Sequence, residues 1–214
     1  EIYYGLVGSE MSIRDRDIML KCSEPDYPVG METHEYHSMS MEFLCHKWMD
    51  KFFGDKADKY RYKHIVDAFS FIPYGTIVDE LQHIVYENPD LTPAERDAEY
   101  LKLEKKYRPY LSFEGIPYLE NGTRWQYQMH IYESPFYYID YCLAQCVALG
   151  FLGLSRADFA DALDKYLTFL RATGSVSFGE LVEGAGLKPP FEAGALKEKA
   201  ASSAEVIREV EKKI

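Results

Sequence analysis

Residues able to do chemistry gather in two runs. The first is Thr33-His34-Glu35-Tyr36-His37-Ser38-Met39-Ser40-Met41-Glu42. On a helix Glu35 and Glu42 stand two turns apart on one face, with Met39 between them. Carboxylates stacked among apolar side chains are costly without a positive partner, which a metal ion, a histidinium or an arginine would supply. A solvated helix face fits the same spacing. His34 and His37 are separated by three positions, one short of H-E-x-x-H, so the run has the residue types of a metal site without a recognised ligand spacing. The second run, Trp125 to Tyr141, carries His130 and a dense set of tyrosines, including Tyr137, Tyr138 and Tyr141. Such groups polarise a carbonyl or stabilise an oxyanion; each phenol taken singly also suits a core aromatic with a satisfied hydroxyl.

Smaller signals have plainer readings. Asp79 and His83 are an i,i+4 pair, either a brace for another side chain or a surface ion pair. Cys22, Cys45, Cys142 and Cys146 show no C-x-x-C spacing and read as thiols of a reducing, cytoplasmic setting. With 24 Lys plus Arg against 35 Asp plus Glu, the net charge is −11, which argues against nucleic acid and anionic lipid as partners. No apolar run is expected to reach the roughly 20 residues of a membrane span, and the first residues lack the basic start of a signal peptide. No phosphate-binding glycine loop or G-x-S-x-G elbow is present.

The elements that must position these residues are helices. Apolar residues recur at three- and four-residue spacing, and alternating β-branched runs are scarce, so the chain is predicted to be an all-α, multi-helix bundle. One long helix is expected from Glu32 to Phe53, capped by Thr33 and closed by Gly54. A second should run from Lys56 to Phe71 and end near Pro73, with a third from Tyr74 to Tyr86. Thr92-Pro93-Ala94-Glu95 is a capping-box start for a helix reaching Tyr107. Glu114 to Arg124, with Asn121-Gly122, reads as a loop or short strand pair; Asn121-Gly122-Thr123 is also a glycosylation sequon, for which the turn reading is preferred. Trp125 to Leu152 should be a buried helix. Ser155 should open the next, to Ala172, and short and long helices (178–185 and 192–214) close the chain, the last mostly solvated.

The two runs carry a resemblance. Glu35-Tyr36-His37-Ser38-Met39-Ser40-Met41-Glu42, then Phe71-Ile72-Pro73-Tyr74-Gly75, Val78-Asp79-Glu80-Leu81-Gln82-His83 and Val85-Tyr86-Glu87-Asn88-Pro89, then His130 with Pro135-Phe136-Tyr137-Tyr138 and Tyr141, resemble the C-terminal part of zinc metallopeptidases of the thimet oligopeptidase and oligoendopeptidase F family, most closely the latter branch. The similarity runs from about Tyr27 to the C-terminus. It implies an all-α bundle forming one wall of a peptide-binding channel, with a divergent segment over 1–30 and the metallopeptidase part over 31–214. In such enzymes H-E-x-x-H gives two zinc ligands and a general-base glutamate. The resemblance makes Glu35 the third zinc ligand, Glu42 the brace of a ligating histidine, and His130 with Tyr138 or Tyr141 the oxyanion donors. Tyr137 is the alternative to Tyr138, and the pair Tyr138–Tyr141 is preferred for its spacing.

The sequence departs from that pattern at one decisive place: it contains no H-E-x-x-H, and Leu6-Val7-Gly8-Ser9-Glu10, where the zinc histidines are expected, has no imidazole. Catalytic zinc takes three protein ligands, so the polypeptide alone is expected to be inert. The favoured reading is part of a zinc oligopeptidase acting on short peptides once the missing N-terminal half or a partner chain is supplied. The apolar face left exposed would otherwise drive homo-oligomerisation. The alternatives are a metal-free pseudoenzyme that binds peptides, and a self-contained metal site built from Glu35, Glu42, His37 or His46.

Overall fold

The structure, a computed structural model, describes residues 30–214. The expectations for the first residues, including Leu6 to Glu10 and Cys22, lie outside the described residues. Those described are helical: α1 (Met31–Leu44), α2 (Asp50–Phe53), α3 (Ala57–Glu87), α4 (Pro93–Tyr107), α5 (Pro117–Glu120), α6 (His130–Glu133), α7 (Tyr138–Ala157), α8 (Phe159–Ala172), α9 (Phe178–Gly184) and α10 (Ala195–Glu211). No strand occurs among the described residues beyond a bridge between Thr173 and Val176. The all-α architecture expected from the sequence is what forms.

The chain divides into two compact units, one running up to Ala68 and resuming over Leu143–Ile214, the other Phe69–Cys142. Helices α3 and α7 carry the chain across without a linker. In the first unit Tyr36 stacks on Phe169 with centroids 3.9 Å apart, inside a core with Leu44, Ala144, Val147, Phe151 and Tyr166. In the second, Ile77 and Leu81 of α3 pack with Tyr100, Leu103 and Trp125.

Several boundaries differ from expectation, each for a physical reason. The helix predicted over 32–53 starts at Met31 after Gly30 and ends at Leu44, giving way to a 3-10 turn over Cys45–Trp48 and the one-turn α2; Thr33 is not its cap but a buried residue. Pro73 does not break the chain into two helices, because α3 runs through it for 31 residues. The missing N–H costs about 3 kcal/mol, and burying Ile72, Ile77, Val78 and Leu81 on the same helix, each worth about 1.5–3 kcal/mol, offsets it. Glu114 to Arg124 forms no strand pair but α5 and a 3-10 turn over Thr123–Tyr127. Between them Gly122 adopts φ +75, and a Cβ there would stand 2.2 Å from the Asp97 carbonyl oxygen, so the reversal presses against α4.

The expected helix from Trp125 to Leu152 is instead the end of that turn, α6, and α7 from Tyr138; α7 continues past Ser155 to Ala157, and Asp158 rather than Ser155 caps the next helix. The capping boxes at Thr92 and Ser177 are complete. Helix α10 is mostly solvated, as expected, and buries one stripe of Ala195, Lys199, Ser203, Val206 and Val210. Helix α7 is, by length and composition, apolar enough to cross a membrane, contrary to expectation, yet Ala144, Val147 and Phe151 on it belong to the first unit's core.

Gly75 allows a close contact between α3 and α7 in the second unit. A Cβ there would lie 2.2 Å from Cys142 Sγ and 3.7 Å from the Tyr138 ring. Gly75→Ala is therefore expected to cost about 1–3 kcal/mol by overpacking. Gly184→Ala meets nothing within 4 Å and should leave stability unchanged or slightly raised. Urea denaturation of both variants checks this; equal midpoints for the two would contradict the packing argument.

Candidate functional site

The second unit brings His130 and the three tyrosines together. The ring centroid of His130 lies 5.9 Å from Tyr137, 4.9 Å from Tyr138 and 5.8 Å from Tyr141. Tyr137 donates its hydroxyl proton to the Tyr141 hydroxyl at 2.9 Å. Tyr138 is buried against Phe71 and Tyr74, with centroids at 5.7 and 6.0 Å. Burial, then the neighbouring Tyr74 phenol, push the Tyr138 hydroxyl well above the ordinary tyrosine range, so it remains a proton donor at neutral pH.

Local strain aims this cluster. Phe136, immediately before Tyr137, has φ +64, a left-handed conformation that costs a non-glycine residue about 1–3 kcal/mol. Gln82, buried on α3, holds it: Gln82 Oε1 accepts from the Phe136 N–H at 2.8 Å, and Gln82 Nε2 donates to the Val78 carbonyl at 3.1 Å. The Phe136 ring lies between His83 and Tyr86, with centroids at 4.9 and 5.0 Å. The Asp79–His83 pair is an ion-pair contact of 3.5 Å with an exposed imidazole, and burial raises the Asp79 carboxyl while His83 opposes the rise.

Behind His130 stands a polar line that sequence reading did not single out. The Tyr74 hydroxyl donates to Gln128 Oε1 at 2.9 Å, and Gln128 Nε2 stands 2.6 Å from His130 Nδ1. The Arg108 and Arg124 guanidiniums lie 5.0 and 4.8 Å from the Tyr74 ring centroid. Arg108 is itself held by a buried two-pronged pair with Glu104, its Nε donating at 2.8 Å.

The first unit carries the other expected residues. Glu35 is half-buried on α1, and Glu42 lies two turns further along the same helix. Glu42 Oε2 accepts from His64 Nε2 at 2.9 Å, and His64 Nδ1 is 2.7 Å from His46 Nε2. A carboxylate only accepts, so His64 donates to Glu42 from Nε2; in the neutral ring its Nδ1 then accepts from His46. Burial, then His64, Arg61 and Arg156, push His46 down to about 3. His37 is buried edge-on against Tyr166 and Phe169, at 5.8 and 6.0 Å. All six histidines lie among the described residues, and there no three His, Cys, Asp or Glu side chains converge as a metal site. The self-contained site of Glu35 and Glu42 with His37 or His46 is thus not formed: one imidazole is enclosed by core aromatics and the other is turned toward His64. Burial raises the Cys146 thiol to about 11, which keeps it unreactive.

His64, Gln128 and Tyr74 were missed because their partners lie 22, 2 and 54 positions away with no helical repeat linking them. A polar side chain two residues before His130 was the one local signal available.

The sequence profile of peptidase family M3 matches residues 19–201. Among solved structures, PZ peptidase A with an inhibitor is similar at TM-score 0.80 and 46% identity, over 86% of this chain and 33% of that one. A candidate oligoendopeptidase F reaches TM-score 0.80 and 48% identity, over 85% and 32%. A second, from Bacillus anthracis str. Ames, reaches 0.70 and 40%, over 86% and 29%. The chain therefore spans about a third of the length of these structures. The comparison with curated proteins gave no match.

The low value for His46 has a stability consequence. The folded state holds fewer protons than the unfolded chain from the ordinary histidine range near pH 6.5 down to about 3. Stability from this group is complete above that range and is lost as pH falls, by at most about 1.4 kcal/mol per pH unit. Between about pH 6.5 and 5, above the ordinary carboxylate range, His46→Asn should flatten the dependence seen by chemical denaturation. An unchanged slope in the variant would contradict the assignment.

Proposed function

Because the chain belongs to peptidase family M3, we propose that it is part of a zinc-dependent oligopeptidase of the oligoendopeptidase F type, hydrolysing short peptides, and that it cannot act alone. The observation that carries the reading is the convergence of His130 with Tyr137, Tyr138 and Tyr141. When a peptide bond is attacked, the carbonyl oxygen becomes an oxyanion. An imidazole N–H and a phenol O–H donating to that oxygen stabilise its charge more than the neutral carbonyl, and one such donor is worth about 3 kcal/mol. The phenols must stay protonated for this, which burial of Tyr138 secures.

Glu35 is assigned as one carboxylate ligand of the zinc, and Glu42 as a brace whose carboxylate already meets His64. The residues present do not fit zinc by themselves, since no complete donor set occurs among those described and the sequence lacks H-E-x-x-H. The remaining ligands are assigned to residues outside this chain, from a missing N-terminal half or a partner. The acidic charge and the free thiols of Cys45, Cys142 and Cys146 suit a cytoplasmic enzyme. The incomplete donor set equally favours a second reading, a metal-free helical protein that binds peptides.

A chimera separates these readings. With this chain in place of the equivalent third of PZ peptidase A, hydrolysis of a short peptide is expected, with none from the chain alone, even with added zinc. In the chimera His130→Ala should lower kcat by about 100-fold or more, and Glu35→Ala should lower bound zinc. A folded, zinc-loaded chimera indifferent to His130→Ala would overturn the proposal. Peptide affinity of the chain unchanged by chelator, with an inactive chimera, would support the metal-free reading.

A further inference from the structure

We infer that Tyr74 and Gln128 set the tautomer of His130, holding its ring proton on Nε2 and its Nδ1 bare. The inference concerns positioning; its catalytic meaning rests on the reading of His130 as a carbonyl donor.

The polarity of the line can be traced from its far end. Arg124 and Arg108 both stand over the Tyr74 ring, and a guanidinium has donors and no acceptor. Their positive field draws the lone pairs of the Tyr74 oxygen toward them and turns its proton away. Burial keeps the Tyr74 phenol protonated, against the opposing pull of Arg124 and Arg108, so it has a proton to give. The atom in reach is Gln128 Oε1, at 2.9 Å. A carboxamide has one accepting end and one donating end. Once its oxygen faces Tyr74, its NH2 must face His130 Nδ1, at 2.6 Å. Two donors cannot share that contact, so Nδ1 accepts and the neutral ring carries its proton on Nε2.

The consequence is directional. With Nε2–H, the nitrogen remote from Gln128 offers a hydrogen bond to a carbonyl oxygen or an oxyanion. With the proton on Nδ1, the same nitrogen would offer a lone pair and repel developing negative charge. Tyr74 and Gln128 touch neither substrate nor metal in this account; they are positioning residues acting through His130. The Glu42–His64–His46 line has the reverse logic, since it ends in a group that only accepts.

The test is long-range 1H–15N correlation of the labelled chain at mildly alkaline pH, with His130 assigned by comparison with His130→Gln. The wild-type chain should show an unprotonated Nδ1 and a protonated Nε2. Gln128→Glu replaces the donating amide by an acceptor, and the His130 Nδ1 signal should move to the protonated position. Tyr74→Phe frees the amide to turn over, and a mixture with a new Nδ1–H population should appear. A protonated Nδ1 in the wild-type chain, or no change in Gln128→Glu, overturns the inference; the wild-type result stands whether or not Gln128→Glu and Tyr74→Phe fold. The two claims fail separately. Loss of the tautomer result leaves the chimera's dependence on His130 standing, whereas a chimera indifferent to His130→Ala removes the functional reading and leaves the spectrum as expected.

Discussion

The approach of the first turn of α7 to α3 at Gly75 is the constraint on which the second unit's chemistry depends. Only a residue without a Cβ leaves room for Cys142 Sγ at that point. The contact seats Tyr138 against Phe71 and Tyr74, and Tyr138 in turn fixes one side of the His130 ring. Pro73, two residues before Gly75, lacks the N–H that an uninterrupted helix would use, and the buried side chains around it keep α3 continuous. A helix that ended at Pro73 would present neither Tyr74 nor Gly75 to α7. The energetic cost of proline inside a helix is thus tied to the placement of the aromatic cluster.

The turn that feeds α7 is held in a conformation its sequence does not favour. Phe136 is left-handed, and the compensation comes from Gln82, a buried amide whose two ends are both used. Strain at the residue before Tyr137, together with a buried amide devoted to one backbone N–H, is the pattern expected where geometry matters more than local stability. The two polar lines follow the same economy of donors and acceptors. Each starts from a group able to play one role only, a guanidinium behind Tyr74 and a carboxylate at Glu42, and each passes that polarity to an imidazole.

Much of this was legible in the sequence, and what was not has definite causes. Helical periodicity specified the all-α class, and the expected capping box at Thr92 formed because cap and partner sit within one turn of each other. The ends of α1 and α7 were misplaced because they are decided by burial of residues such as Thr33 and Phe151, which only the packed core determines. The His130 and tyrosine cluster could be named from its local density. Gln82, Tyr74 and His64 could not, because each acts on a residue brought near by the fold. Glu35 and Glu42 share a helix face as their spacing required, and the histidines near them in sequence turn elsewhere, His37 into the aromatic core and His46 toward His64.

The claim at the centre of this account is that the imidazole and phenols of the second unit receive the carbonyl oxygen of a peptide. A crystal structure of the PZ peptidase A chimera with a tetrahedral phosphinic peptide tests it most directly. The account predicts a phosphinyl oxygen within about 2.7–3.1 Å of His130 Nε2 and of a hydroxyl from Tyr137, Tyr138 or Tyr141. An analogue bound with its phosphinyl oxygens out of reach of all four side chains would contradict it.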